Sequence, residues 1–274
     1  MPRKLNKTTS FFLLLLFASS VIRVLLSAFP KSAVTYNDEL FYLELAQNLF
    51  RHGTLTVYNT PLHFTKLLYS MLLAPFYAVK DSVLRIRLIS ALNVLLTSSS
   101  LVPGYLLSRR ILKKPWQIAC VLLLLAVSPN LFFSLTFMAE NLYPPLFLWG
   151  VYAAYRYFAS ETRSPLRAFL LGLLAFLLFF AKEVGAAYIA AVAVALLADR
   201  NGQKKSRKSY LGSLGCYLLG VVIPYMLLSM AFFRGTGSIY SLQLSKAVLS
   251  DWPHIRFFLA ACGRMLLEFG LTAL

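Results

Sequence analysis

Two adjacent carboxylates, Asp38 and Glu39, open the stretch Thr35-Tyr-Asn-Asp-Glu-Leu-Phe-Tyr-Leu-Glu44. A third, Glu140, sits in Met138-Ala-Glu-Asn-Leu-Tyr-Pro144 between two apolar runs. Carboxylates in such places do acid/base work, hold a divalent cation, or orient a substrate hydroxyl. Lys66, Lys182 and Arg234 supply cations suited to a phosphate. Each has a plainer reading. Thr35 and Asp38 can form a capping box, with Glu39 at the positive helix end. One acid would satisfy a cap, and here there are two. Glu140 can cap the following helix or snorkel to water. Lys66 can be an interfacial anchor, and Lys182 can pair with its neighbour Glu183.

The elements that must position these groups follow from composition. Of 274 residues, 59% are hydrophobic and 14% charged, with a net charge of +17. Soluble domains average about 45–50% apolar and roughly 25% charged. This composition excludes a soluble globular enzyme, a disordered tail and a disulfide-rich secreted domain. It fits an all-α integral membrane protein. Cys120, Cys216 and Cys262 are scattered and give neither a disulfide framework nor a metal spacing.

A spanning helix needs about 20 apolar residues. Seven runs qualify: Ser10–Phe29, Leu88–Leu107, Gln117–Phe137, Asn141–Tyr155, Leu166–Ala181, Val184–Ala198 and Tyr210–Phe233. The first, with Arg23 inside it, reads as an uncleaved anchor. The segment 66–80 is too short to cross, and Pro75 would kink it, so it reads as re-entrant or interfacial. With that segment on the surface, loops 1–9, 108–116, 156–165 and 199–209, with Arg167, hold 15 of the 27 basic residues and two of the ten acids. Positive-inside bias then places the N-terminus in the cytoplasm of a multi-pass cell-membrane protein. The excess charge is an orientation signal, and no nucleic-acid partner is expected.

In the first outer loop, 30–87, residues 38–51 predict an amphipathic helix. Tyr42, Leu45, Ala46 and Leu49 share its apolar face, and Gly53 can close it. Glu140, Lys66, Lys182 and Arg234 fall on the same outer face as Asp38 and Glu39.

Several stretches occur in order: an N-terminal span, Tyr36-Asn-Asp38-Glu39, Lys66-Leu-Leu-Tyr69, Ala74-Pro75-Phe-Tyr77, Arg87-Leu-Ile-Ser-Ala-Leu-Asn93, Arg109-Arg110 and Met138-Ala-Glu140-Asn141-Leu-Tyr143-Pro144. This order resembles the GT-C membrane glycosyltransferases, especially the bacterial relatives of protein O-mannosyltransferases and aminoarabinose transferases. The resemblance covers roughly residues 8–235. It implies a seven-span module, 1–235, with juxtamembrane helices in the first outer loop. Residues 236–274 would be an outer-face segment, the start of a longer C-terminal region if the chain is a truncated form.

The resemblance also implies a function: transfer of a sugar from a polyprenyl-phosphate donor to a glycan, lipid or protein acceptor outside the cytoplasmic membrane. Asp38 matches the family's first-loop acid and would be the base. Glu140 matches its second outer acid, where relatives often carry Asp. Lys66 matches its loop cation, although His63-Phe-Thr-Lys66 departs from the family's Pro-rich run. Lys182 and Arg234 would assist with the phosphate. A divalent cation, Mg or Mn, bound by Asp38, Glu39 and Glu140 is left open, since family branches differ. The rival readings are a lipid-linked sugar transporter or flippase, and a non-catalytic membrane protein retaining the fold. Transporters carry ionisable groups near the midplane, whereas here the acids cluster at one face.

Overall fold

The computed structural model describes residues 7–27, 37–57, 60–61, 67–127, 133–160, 163–198 and 207–232. These lie within one unit, Met1–Phe232, and the segment Phe233–Leu274 is outside them. Lys66, Arg234 and the Thr35 half of the capping box also fall outside the described residues.

The described chain is almost entirely helical. Its helices are α1 (Lys7–Ser27), α2 (Asn37–His52), α3 (Leu68–Leu73), α4 (Ser82–Ser99), α5 (Leu101–Ile111), α6 (Pro115–Val127), α7 (Tyr143–Phe158), α8 (Pro165–Ala181), α9 (Gly185–Ala198) and α10 (Arg207–Phe232). Single 3-10 turns cover Ala74–Ala78 and Ala139–Asn141. A two-residue antiparallel ribbon pairs Thr56 with Pro61 and Val57 with Thr60.

Among the described residues, two segments are long and apolar enough to cross a membrane, residues 82–111 and 211–231. The second is clothed in exposed Leu218, Leu219, Val222, Met226 and Leu227. So large an apolar face marks contact with lipid or another apolar surface. The first is α4 and α5 end to end, with a break at Ser100. Pro103 has no N–H, so it cannot donate to the Ser99 carbonyl one turn back. The Ser100 hydroxyl instead donates to the Thr97 carbonyl at 2.6 Å. This segment starts six residues before the expected Leu88, because Asp81 caps it, accepting from Val83 N at 2.8 Å and Leu84 N at 3.2 Å.

One expected run is interrupted. Helix α6 stops at Val127 within the described residues, and Ser134–Leu135 is a turn, so Gln117–Phe137 is not one continuous helix. The backbone near its end is captured by side chains, as described below.

Three apolar clusters form the interior. Phe12 of α1 stacks on Tyr105 of α5 at 4.3 Å, beside Leu101, Ile118 and Leu122. Tyr42 and Ala46 of α2 pack with Tyr69, Leu73, Ile89 and Phe137. Ala168, Leu171, Ala175 and Leu178 of α8 pack with Tyr188, Val192 and Tyr217. In the third cluster two backbones touch. A Cβ at Gly172 would collide with the Tyr217 carbonyl, and one at Gly220 with the Phe169 carbonyl. Small residues of this kind let helices approach closely.

Candidate functional site

Helix α2 forms as its apolar spacing requires. Tyr42, Leu45 and Ala46 are buried and Leu49 is half-buried. Gly53, at φ 65°, ends it, its N–H donating to the Leu49 carbonyl at 3.1 Å. The segment expected at 66–80 is α3 followed by the 3-10 turn that begins at Ala74-Pro75. It packs under α2 and is tied to it. The Ser70 hydroxyl donates to the Tyr42 carbonyl at 3.1 Å, and the Tyr77 hydroxyl to the Leu43 carbonyl at 2.7 Å.

At the start of α2 the two adjacent acids part company. Successive residues on a helix do not share a face. Asp38 is exposed and Glu39 is 2% exposed. Glu39 Oε1 accepts the backbone N–H of Phe137 at 3.0 Å, across 98 positions of sequence. The acidic end of the first-loop helix is thereby fixed to the turn that leads into Glu140.

That turn is held by a buried polar network. The Tyr69 hydroxyl donates to Asn93 Oδ1 at 2.9 Å. Asn93 Nδ2 donates to the Thr136 carbonyl at 2.9 Å. Asn141 Nδ2 donates to the same carbonyl at 2.7 Å and to that of Met138 at 3.2 Å. Both asparagines and Tyr69 are fully buried. Burial pushes the Tyr69 hydroxyl well above the usual tyrosine range, opposed in part by its bonds to Asn93 and Asn141. It therefore serves as a neutral donor. Neither Tyr69 nor Asn93 was expected to act at the site. An asparagine in the middle of an apolar run is the signal that marks it.

Glu140 itself points to α8. Lys182 Nζ lies 2.6 Å from Glu140 Oε1, with the side chains 30% and 23% exposed. This corrects the expectation that Lys182 pairs with its neighbour Glu183. Helices α7 and α8 run antiparallel, so the start of one adjoins the end of the other, and the pair closes 42 positions of sequence. Between α8, α9 and α10 an apolar groove of about 250 Å³ is lined by Phe176, Phe179, Ala186, Ile189, Val221 and Tyr225.

Among the described residues, no three His, Cys, Asp or Glu side chains are grouped to hold a metal. Glu39 Oε1 is engaged by an N–H and Glu140 Oε1 by an ammonium. Arg23, the charge inside the first expected span, is wholly buried and donates from Nη2 to the Ala126 carbonyl at 3.2 Å.

No family model, curated protein or solved structure matches this chain.

Proposed function

We propose that the chain is a GT-C-type membrane glycosyltransferase, moving a sugar from a polyprenyl-phosphate donor to an acceptor hydroxyl at the outer membrane face. The observation that carries this reading is the Lys182–Glu140 pair at 2.6 Å, seated on the turn that also receives Glu39. It gathers a cation and a carboxylate at the end of the bundle where α2 begins. In this reading seven spans cross the bilayer, with loops 1–9, 108–116, 156–165 and 199–209 in the cytoplasm.

The chemistry assigns distinct roles. The acceptor oxygen attacks the anomeric carbon, the bond from that carbon to the donor phosphate breaks, and the polyprenyl phosphate leaves. The acceptor proton goes to the exposed carboxylate of Asp38. The Lys182 ammonium stabilises charge on the departing phosphate. Glu140 positions that ammonium, and Glu39 positions the turn. The groove between α8, α9 and α10 gives the polyprenyl chain an apolar wall.

The test is transfer by the full chain in proteoliposomes, with a radiolabelled polyprenyl-phosphate hexose and a mixed lipid and glycan acceptor pool. Labelled product is expected, falling by about 100-fold or more in Asp38→Asn and Lys182→Met, in the range of losing one electrostatic catalytic contact. Passage of the labelled lipid across the bilayer with no bond formed would overturn the reading in favour of a flippase.

A further inference from the structure

The α7–α8 pair has a second charged end. Helix α7 has 16 residues, about 24 Å at 1.5 Å per residue. At that distance from Glu140, the C-terminal end of α7 and the first turn of α8 border a cavity of about 610 Å³. Three arginines from three helices line it: Arg110 from the last turn of α5, Arg156 from the last turn of α7, and Arg167 from the first turn of α8. No carboxylate is among the described residues lining it. Arg163, close by, donates to the Phe158 carbonyl at 2.7 Å. The neighbouring loop contributes one acid, Glu161, outside the described residues, so four arginines still leave a clear positive excess.

A second observation is independent of the charge. Tyr157 also lines the cavity and is 4% exposed, and its hydroxyl has no hydrogen-bond partner among the described residues. A buried hydroxyl without a partner costs about 1–3 kcal/mol. An oxyanion in the cavity would remove that cost. Charges needed only to orient a chain in a membrane do not require a cavity, or an orphaned hydroxyl beside it.

We propose that this cavity binds a phosphate-bearing anion through Arg110, Arg156 and the Tyr157 hydroxyl, with Arg167 as a third cation. Guanidinium groups present paired N–H donors that match phosphate oxygens. The volume is in the usual range for a small-molecule site, about 300–1,000 Å³, and far exceeds a bare ion. Leu170, Leu171 and Leu174 form an apolar flank beside the arginines. A phosphate carried on a lipid headgroup and a soluble phosphate both offer the required oxygens. The inference stands apart from the sugar-transfer reading, because it uses none of Asp38, Glu140 or Lys182.

The experiment uses the purified full chain in neutral detergent. Phosphatidylglycerol, phosphatidylcholine and inorganic phosphate are titrated separately, with adducts counted by native mass spectrometry. Phosphatidylglycerol binding, with phosphatidylcholine at least tenfold weaker, is expected. Arg110→Gln with Arg156→Gln should weaken it about tenfold or more. Tyr157→Phe, which preserves the ring and its packing, should weaken it severalfold. Arg87→Gln, on α4 outside the cavity, should leave it unchanged. Inorganic phosphate that binds alone and competes, with the same dependence on these residues, identifies a soluble phosphate as the ligand. The proposal is overturned if neither probe binds, or if binding ignores Arg110, Arg156 and Tyr157.

Discussion

The carboxylate of Glu39 accepts the backbone N–H of Phe137 at 3.0 Å, and it does so from a site 2% exposed. One acid of the Asp38-Glu39 pair is thus a structural strut and the other faces outward. Glu39→Ala leaves the Phe137 N–H buried without this acceptor and should cost about 1–3 kcal/mol. Glu39→Gln keeps an acceptor oxygen and should cost less. Asp38→Asn should leave thermal unfolding unchanged while abolishing transfer. Unfolding in detergent, run beside the transfer assay, separates the two acids. Equal stability losses for Asp38→Asn and Glu39→Ala would contradict the division.

The Glu140–Lys182 pair is partly exposed, so its contribution to stability is small. A double-mutant cycle with Glu140→Gln and Lys182→Met should return about 1 kcal/mol or less. The swapped chain, Glu140→Lys with Lys182→Glu, should keep most of that coupling. Transfer should not recover in the swap, because the cation then sits on the wrong helix. Recovery would mean that the pair acts only as a brace.

The Tyr69–Asn93–Thr136 network predicts a different profile. Asn93→Leu strips the acceptor from the Tyr69 hydroxyl and leaves the Thr136 carbonyl to Asn141 alone, and should cost about 1–3 kcal/mol. Burial raises the Tyr69 hydroxyl above its unfolded value of about 10. The native state therefore holds that proton more tightly than the unfolded chain does. The stability so conferred is complete below pH ~10 and is lost as pH rises beyond it. Tyr69→Phe should flatten this alkaline decline in denaturant midpoints measured from pH 8 to 11.

Gly172 and Gly220 should tolerate no side chain. Gly172→Leu drives atoms into the Tyr217 backbone and should cost about 3 kcal/mol or prevent folding, by overpacking. Gly212→Ala and Gly215→Ala meet nothing within 4 Å. They should be neutral or stabilising by up to about 1 kcal/mol, since alanine is the better helix former. Thermal melts of the three glycine variants check the contrast.

The seven-span arrangement predicts which positions reagents reach. Single cysteines at Asp38 and Glu140 should react with an impermeant maleimide added outside intact cells. A cysteine at Leu112 should react only after the membrane is opened. Labelling of position 112 from outside would reverse the proposed orientation.

Much of the first loop was legible in the sequence. The apolar spacing of Tyr42, Leu45 and Ala46 gave α2 to within a residue at each end, because the helical period is local information. Gly53 ended it by the same local logic. Pro75 marked where the short segment changes course, since α3 gives way there to a 3-10 turn. The partner of Lys182 was not readable. Glu183 is adjacent in sequence, but the antiparallel return of α8 brings Glu140 closer. Nor did apolarity at Phe133 and Phe137 yield a helix reaching 137. Hydropathy weighs side chains and cannot register that Asn93, Asn141 and Glu39 bind the backbone there. Tyr69 and Asn93 stand 24 positions apart, and Asn93 and Thr136 stand 43 apart, distances no periodicity reports.

The contact from Glu39 to Phe137 also imposes an order in time. A ribosome releases α2 nearly a hundred residues before the turn that receives it. Until that turn exists, Glu39 lacks its N–H donor and Tyr69 lacks the Asn93 bridge to Thr136. The bond that ties the first loop to this turn can therefore close only once residue 137 has been made.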